Sequence, residues 1–252
     1  MSARKPTASP RWIHLTAGML LAALGCVPVE AQSTEDALNT CRADSGPAAA
    51  RIVACTRVAE DAASDEAIRI EAFLQRGILH EEGGEREAAV RDYTEAIKLD
   101  DTNATAYFNR GNAHDQLGQI DLAIADYTQA IKLDPTDPDF YNNRGQIYDS
   151  RGEHDLAIAD YTEAVRLDST NARPLYNRGL SYANKGDYQR AIAEFDQAIK
   201  LAPDDTDLYV ARGAANEELG NQSAARADYR KALETDADNE DALEGLSRLG
   251  GR

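Results

Sequence analysis

Basic side chains are scarce in this chain: 27 Lys and Arg stand against 44 Asp and Glu, leaving a formal net charge of −17 over 252 residues. That balance repels phosphate backbones and anionic membrane surfaces, so neither nucleic acid nor a lipid surface is an expected partner. The plain reading of the excess is a solvated surface; the sharper one is an acidic recognition patch. Catalytic signatures are missing as well. There is no Gly-x-x-x-x-Gly-Lys-Ser/Thr loop, no His-Glu-x-x-His pair and no serine elbow. No two carboxylates stand in surroundings that would plainly drive their pKa values apart. Cysteine is limited to three residues without a Cys-x-x-Cys, so neither redox chemistry nor a metal is expected, and no cofactor is implied. Tryptophan occurs once, at Trp12.

Long hydrophobic runs are also absent, and the one apolar stretch, Thr16 to Val29, is too short to span a membrane comfortably. Arg4, Lys5 and Arg11 precede it, and Val29-Glu30-Ala31 closes it before Gln32. Basic, apolar, then small-x-small is the layout of a secretory signal peptide, cleaved after Ala31. Two other readings stay open. One is a lipoprotein acylated at Cys26, although Ala23-Leu24-Gly25 resembles a lipobox only loosely, since leucine belongs where Ala23 stands. The other is a plain transmembrane anchor. Removing residues 1–31, with three cations and one carboxylate, takes the net charge to −19.

What the chain does have is a period. Glycine recurs every 34 residues in a nearly fixed phrase, from Phe-Leu-Gln-Arg-Gly at Gly77 through Gly111, Gly145 and Gly179 to Tyr-Val-Ala-Arg-Gly at Gly213. Seven residues later comes a second glycine (Gly84, Gly118, Gly152, Gly186, Gly220), then an alanine (Ala89, Ala123, Ala157, Ala191, Ala225). An aromatic follows (Tyr93, Tyr127, Tyr161, Phe195, Tyr229), and another alanine closes the set (Ala96, Ala130, Ala164, Ala198, Ala232). Apolar spacing of three and four on both sides of the middle glycine predicts two helices joined by a tight turn, with glycine just past a helix end. Glycine at the eighth position and alanine at the twentieth let the two helices approach, and the aromatic at the twenty-fourth fills the space beside them. Pro135 and Pro203 stop second helices. Stacked units of this kind form an all-α solenoid with a long binding surface.

The pattern resembles the tetratricopeptide repeat family, whose signature places an aromatic at the fourth position, glycine at the eighth, tyrosine at the eleventh and alanine at the twentieth. An aromatic at the twenty-fourth, alanine at the twenty-seventh and proline at the thirty-second complete it. Five copies fit, at residues 70–103, 104–137, 138–171, 172–205 and 206–239. Departures are the arginine at every seventh position (Arg76, Arg110, Arg144, Arg178, Arg212), Leu175 at a fourth position, and closing prolines only at Pro135 and Pro203. The resemblance implies a right-handed α-solenoid. Counting backwards with Gly46 as a turn makes residues 32–69 a degenerate hairpin, with Glu66 to Arg69 as extra residues before the first full copy. Cys41 and Cys55 then fall on its two antiparallel helices, and a disulfide between them in an oxidising compartment would contribute on the order of 3 kcal/mol. Residues 240–252 are a capping helix, Glu240–Leu249, and a fraying tail.

The resemblance also places a concave groove on the first helices, lined from positions 2, 5, 6, 9, 12 and 13. Position 6 carries Asn109, Asn143 and Asn177, amides able to donate and accept at once along an extended peptide backbone. Position 5 adds Phe108, Asn142 and Tyr176; the two aromatics are either apolar anchors or are buried between repeats. Glu81, Glu82, Asp115, Asp149, Glu217 and Glu218 make the rim acidic, and Arg173 is the lone cation at these positions. A clamp for a partner's C-terminal carboxylate is therefore not expected; a neutral or basic extended segment is. The seventh-position arginines face an acid at position 23 (Asp92, Asp126, Asp160, Glu194, Asp228), within a unit or across units. His80 and His114 share position 11 with Tyr148 and Tyr182, which points to packing rather than a metal. The expected function is a non-catalytic protein-binding or peptide-binding scaffold or adaptor of a bacterial cell envelope, exported to the periplasm or secreted. The alternatives are an assembly factor anchored to the membrane through lipid on Cys26, and an enzyme or sugar-binding protein using groove acids and aromatics.

Overall fold

The computed structural model describes residues 34–250. The signal segment, the cleavage point after Ala31, Cys26, Trp12 and the last two residues of the tail lie outside the described residues. The described part holds thirteen α-helices and no strand. An N-terminal hairpin, α1 (Thr34–Arg42) and α2 (Ala48–Glu60), comes first. Five full hairpins follow: α3 (Glu66–Glu82) with α4 (Arg86–Leu99), α5 (Ala104–Gln116) with α6 (Ile120–Leu133), and α7 (Pro138–Ser150) with α8 (His154–Leu167). Then come α9 (Ala172–Asn184) with α10 (Tyr188–Leu201), α11 (Thr206–Glu218) with α12 (Gln222–Thr235), and the single closing helix α13 (Glu240–Arg248). Each helix packs on the next, and α3 also touches α5, α7 touches α9, α9 touches α11 and α11 touches α13. First helices thus crowd along one inner face of an all-α helical-repeat solenoid.

The conserved spacing of small residues does the packing that the sequence implies. A Cβ placed on Gly77 would stand 2.5 Å from the Tyr93 ring, and one on Gly145 would stand 2.8 Å from Tyr161. The aromatics at the twenty-fourth positions are at most 1% exposed. Each turn glycine is left-handed, with φ between 70° and 77° from Gly84 to Gly220. The residue after it donates its N–H back to a position-11 carbonyl, as in Glu85 to His80 at 2.7 Å and Asp187 to Tyr182 at 2.9 Å, closing the helix end. First helices start under a side-chain cap from Asp65, Asn103, Asp137, Asn171 or Asp205, and Asn239 caps α13 in the same way.

The seventh-position arginines join units as well as helices. Arg110 grips Asp126 with Nε and Nη2 at 2.8 and 2.7 Å, and Arg144 grips Asp160 at 2.8 Å twice. Their Nη1 atoms reach back to the preceding unit, to Thr94 at 3.2 Å and Thr128 at 3.0 Å. Within-unit and cross-unit contacts therefore belong to one side chain. The longer Glu194 meets Arg178 through Nη2 alone, at 2.7 Å, and leaves the buried Nε without a partner among the described residues.

Both ends carry closures. Cys41 and Cys55 are joined in a disulfide, with Cα atoms 4.8 Å apart and both side chains fully buried. Arg42 of α1 pairs with Glu71 of α3. Glu66 to Arg69, extra residues by repeat counting, form the first turn of α3 and lengthen it to 17 residues. The capping helix covers the last full unit so closely that a Cβ on Gly245 would lie 2.4 Å from Tyr229.

Candidate functional site

Because position 6 recurs at a fixed place on each first helix, its amides come to the same inner face. Asn143 does not stand alone there: its Nδ2 donates to Asn112 Oδ1 at 3.0 Å, and its Oδ1 accepts from Asn142 Nδ2 at 3.2 Å. Asn177 Nδ2 donates to Asn142 Oδ1 at 3.0 Å, and the Tyr127 hydroxyl donates to Asn112 Oδ1 at 2.7 Å. A chain of hydrogen bonds thus runs from Tyr127 through four amides, across three units. Asn142 is its buried link, 1% exposed. Asn143 keeps one N–H and one acceptor lone pair for another molecule, and Asn177 keeps its whole carbonyl oxygen. Asn109 makes no side-chain hydrogen bond among the described residues and keeps its full capacity. Sequence reasoning missed Asn112 and the Tyr127 hydroxyl. Position 9 was among the groove positions, but its side chain gave no periodic signal, since the neighbouring units carry Ile78 and Gln146 there.

The aromatics divide. Phe108 is half-buried with its ring centroid 4.8 Å from Phe140 and 5.7 Å from Tyr127, packed between units. Tyr176 packs against Phe195 at 6.0 Å yet also borders open space. It lines a cavity of about 330 Å³ together with Leu180, Val210, Ala211 and Tyr229, with Asp207, Asp241 and Arg248 at the edges. Burial, then the charge of Asp207, raises the Tyr176 hydroxyl above its ordinary value. Burial holds the Tyr229 hydroxyl up at about 12.

A second cavity, about 420 Å³, lies over α3, α5 and α7 and is lined by Glu81, Glu82, Asp115, Asn112, Asn143 and Gln146 among others. Burial raises the carboxyls of Glu81 and Asp115 above the usual range; a hydrogen bond from Tyr93 at 2.6 Å and the charge of Arg86 oppose this at Glu81. Arg86 itself donates to Gln116 at 2.7 Å. Two of the other rim acids are satisfied internally. Asp149 accepts from Ser181 at 2.6 Å and stands 2.7 Å from His154 Nδ1. Glu217 takes both donors of Arg248 at 3.0 and 3.1 Å, which holds its carboxyl below the usual range. Arg173 is exposed and leans on Gln146 Oε1 at 3.3 Å. Carboxylates without an ion pair therefore line the cavity over α3, α5 and α7, while open apolar surface lines the cavity beside α11, edged by Asp207 and Asp241.

The histidines are tied into their own units: His80 Nδ1 lies 2.6 Å from Glu85, and His114 Nδ1 lies 2.6 Å from Gln119. Among the described residues no cluster of His, Cys, Asp or Glu has the geometry of a metal site. No described helix is long and apolar enough to cross a membrane.

Among solved structures, the chain is similar to MamA at 26% identity over 64% of this chain and 94% of that one, with a TM-score of 0.61. It is similar to YrrB, described as a TPR protein with an unusual peptide-binding site, at 22% identity over 77% of this chain and 97% of that one, TM-score 0.65. The C-terminal part of a TPR repeat-containing protein from Cytophaga hutchinsonii gives 21% identity over 86% and 83%, TM-score 0.68. No curated protein matches the chain. Family profiles described as TPR repeat match residues 80–118, 111–150 and 145–186, and profiles described as Tetratricopeptide repeat match 172–205 and 206–239. With these matches running over the same hairpins that the glycine, alanine and aromatic spacing builds, the chain belongs to the tetratricopeptide repeat family.

Proposed function

We propose that this protein is a non-catalytic scaffold or adaptor that holds an extended segment of a partner along its inner groove, in the cell envelope. The observation that carries the reading is the amide chain from Tyr127 to Asn177. Its orientation is fixed within the protein, and it still offers donors and acceptors to a passing main chain. A peptide backbone needs both, and a preset array loses little freedom on binding. The unpaired acids of the N-terminal half favour a neutral or basic segment. YrrB, a similar fold, is itself described as peptide-binding.

The envelope location rests on the basic, apolar, small-x-small leader and on the Cys41–Cys55 disulfide, which fits an oxidising compartment. Cleavage after Ala31 removes Trp12 and with it all indole fluorescence; intact mass of the cell-derived protein distinguishes this from a lipid on Cys26, the runner-up.

In-cell crosslinking and capture compare the wild type with Asn109→Ala and with the triple Asn109, Asn143, Asn177→Ala variant, at matched helicity and melting temperature. A partner held by the wild type and lost stepwise from the variants is the expected result. Equal capture by all three sinks the groove reading and moves the search to the outer face and the ends of the array.

A further inference from the structure

The two cavities differ in chemistry and lie at opposite ends of one groove. The acidic one is centred on α5, the apolar one on α11. Three steps between first helices separate them, and at 8–10 Å per helix–helix step the span is about 30 Å. An extended chain covers that distance in about nine residues, at roughly 3.3 Å each.

We infer that the groove holds its partner in a fixed register, with a Lys or Arg side chain in the cavity over α3, α5 and α7, and a large apolar or aromatic side chain, about nine residues along the same extended segment, in the cavity over α9, α11 and α13. This rests on the groove reading above and adds the partner's spacing and composition to it.

The occupant follows from what each cavity already satisfies. At the C-terminal end, Tyr176, Leu180, Val210 and Ala211 leave apolar surface open on a face that is otherwise polar. Tyr229, which forms the floor, is locked between Gly213 and Gly245, whose Cβ positions would lie 2.9 and 2.4 Å from its ring. The floor of the cavity is therefore fixed by backbone approach. Its one cation, Arg248, is spent on Glu217, so a ligand carboxylate finds no free partner there. Asp207 and Asp241 at its edges suit a ligand that carries positive charge beside its apolar anchor. At the N-terminal end, no ion pair closes on Glu81, Glu82 or Asp115 among the described residues, while Asn112 and Asn143 supply neutral acceptors and donors around them. A cation entering there gains carboxylate partners without displacing any existing one. A second copy of this chain, at a net charge of −17, is repelled from the same surface.

The test is fluorescence anisotropy on the full chain with labelled peptides that carry one Arg and one Phe, joined by Gly/Asn spacers of about three, eight and thirteen residues, bracketing the extended-chain span. The middle spacer should bind about tenfold more tightly than either of the others, and replacing Arg by Glu or Phe by Ser should remove that advantage. Asp115→Asn and Val210→Glu, checked by their melting curves, should each weaken the middle peptide while leaving the peptide that lacks the matching anchor unaffected. Binding that ignores spacing and anchors but is lost in Asn109→Ala overturns the register and leaves the groove reading standing. Absence of binding by every peptide overturns both.

Discussion

Gly145 has no room for a methyl group: its Cβ would lie 2.8 Å from one ring carbon of Tyr161 and 3.1 Å from two more, and that ring is itself 1% exposed. Gly145→Ala gains helix propensity but overpacks the hairpin, and a net loss of about 1–2 kcal/mol is expected by chemical denaturation. Gly152 fails differently. Its Cβ would meet nothing, but φ is +75°, so alanine there costs about 1–2 kcal/mol through backbone strain alone. The Arg144–Asp160 pair, with side chains 16% and 8% exposed, should show a coupling of about 1–3 kcal/mol in a double-mutant cycle. Additive effects would mean that the bidentate geometry contributes nothing to stability. Asp115 makes the opposite kind of prediction. Burial raises its carboxyl above the ordinary value, so the charged form weakens the fold above that raised pKa, and the penalty fades as pH falls through it. Asp115→Asn should therefore raise the melting temperature at neutral pH by no more than about 4 °C, since solvent screening keeps the effect small, and the gain should vanish below about pH 4. More stability with weaker binding of a basic peptide is the mark of a residue kept for a ligand.

At the scale of elements, the two ends of the array meet one problem with different devices. A terminal hairpin has a neighbour on one side only. The N-terminal hairpin has Cys55 where the full units carry their large aromatic, and the disulfide holds α1, nine residues long, onto α2. Replacing both cysteines with alanine should cost about 3 kcal/mol, and hydrogen exchange should localise the loss to α1 and α2. Protection lost evenly along the array would contradict that. Repeat counting reached this pairing because the period survives where the signature residues do not. It left the conformation of Glu66 to Arg69 open, since counting registers spare residues without saying whether they loop out or extend a helix. Asp65 caps at that point, accepting from the Ala67 N–H, and so the helix starts early. At the other end, α13 covers Tyr229 and buries its own Ala242 completely in doing so.

For the whole molecule, the rim carboxylates of the groove differ in partners more than in number. Glu217 and Asp149 are matched by Arg248, Ser181 and His154, while Asp115 is matched by nothing charged among the described residues. Binding of a basic segment should therefore weaken with salt, and a salt-independent affinity would remove charge from the account of recognition. Units that contact chiefly their neighbours also imply that stability is a sum along the array, so local openings at the ends should precede those at α7 and α8.

The sequence by itself determined the hairpin, the turn and the period, because a glycine that must be left-handed and a glycine that must face an aromatic are properties of a single unit repeated. It also placed Asn109, Asn143 and Asn177 on one face, since equal positions in equal units share a face. Only the tertiary structure decided that these three amides are unequal. Asn142 is buried and bonds to Asn177 of the next unit, Asn143 reaches back to Asn112, and Asn109 stays free, all through contacts between side chains about 31 to 35 residues apart. It likewise decided that Phe108 fills an inter-unit seam while Tyr176, at the same position of another unit, borders a cavity. Periodicity fixes direction; occupancy depends on the particular neighbours that the next unit brings.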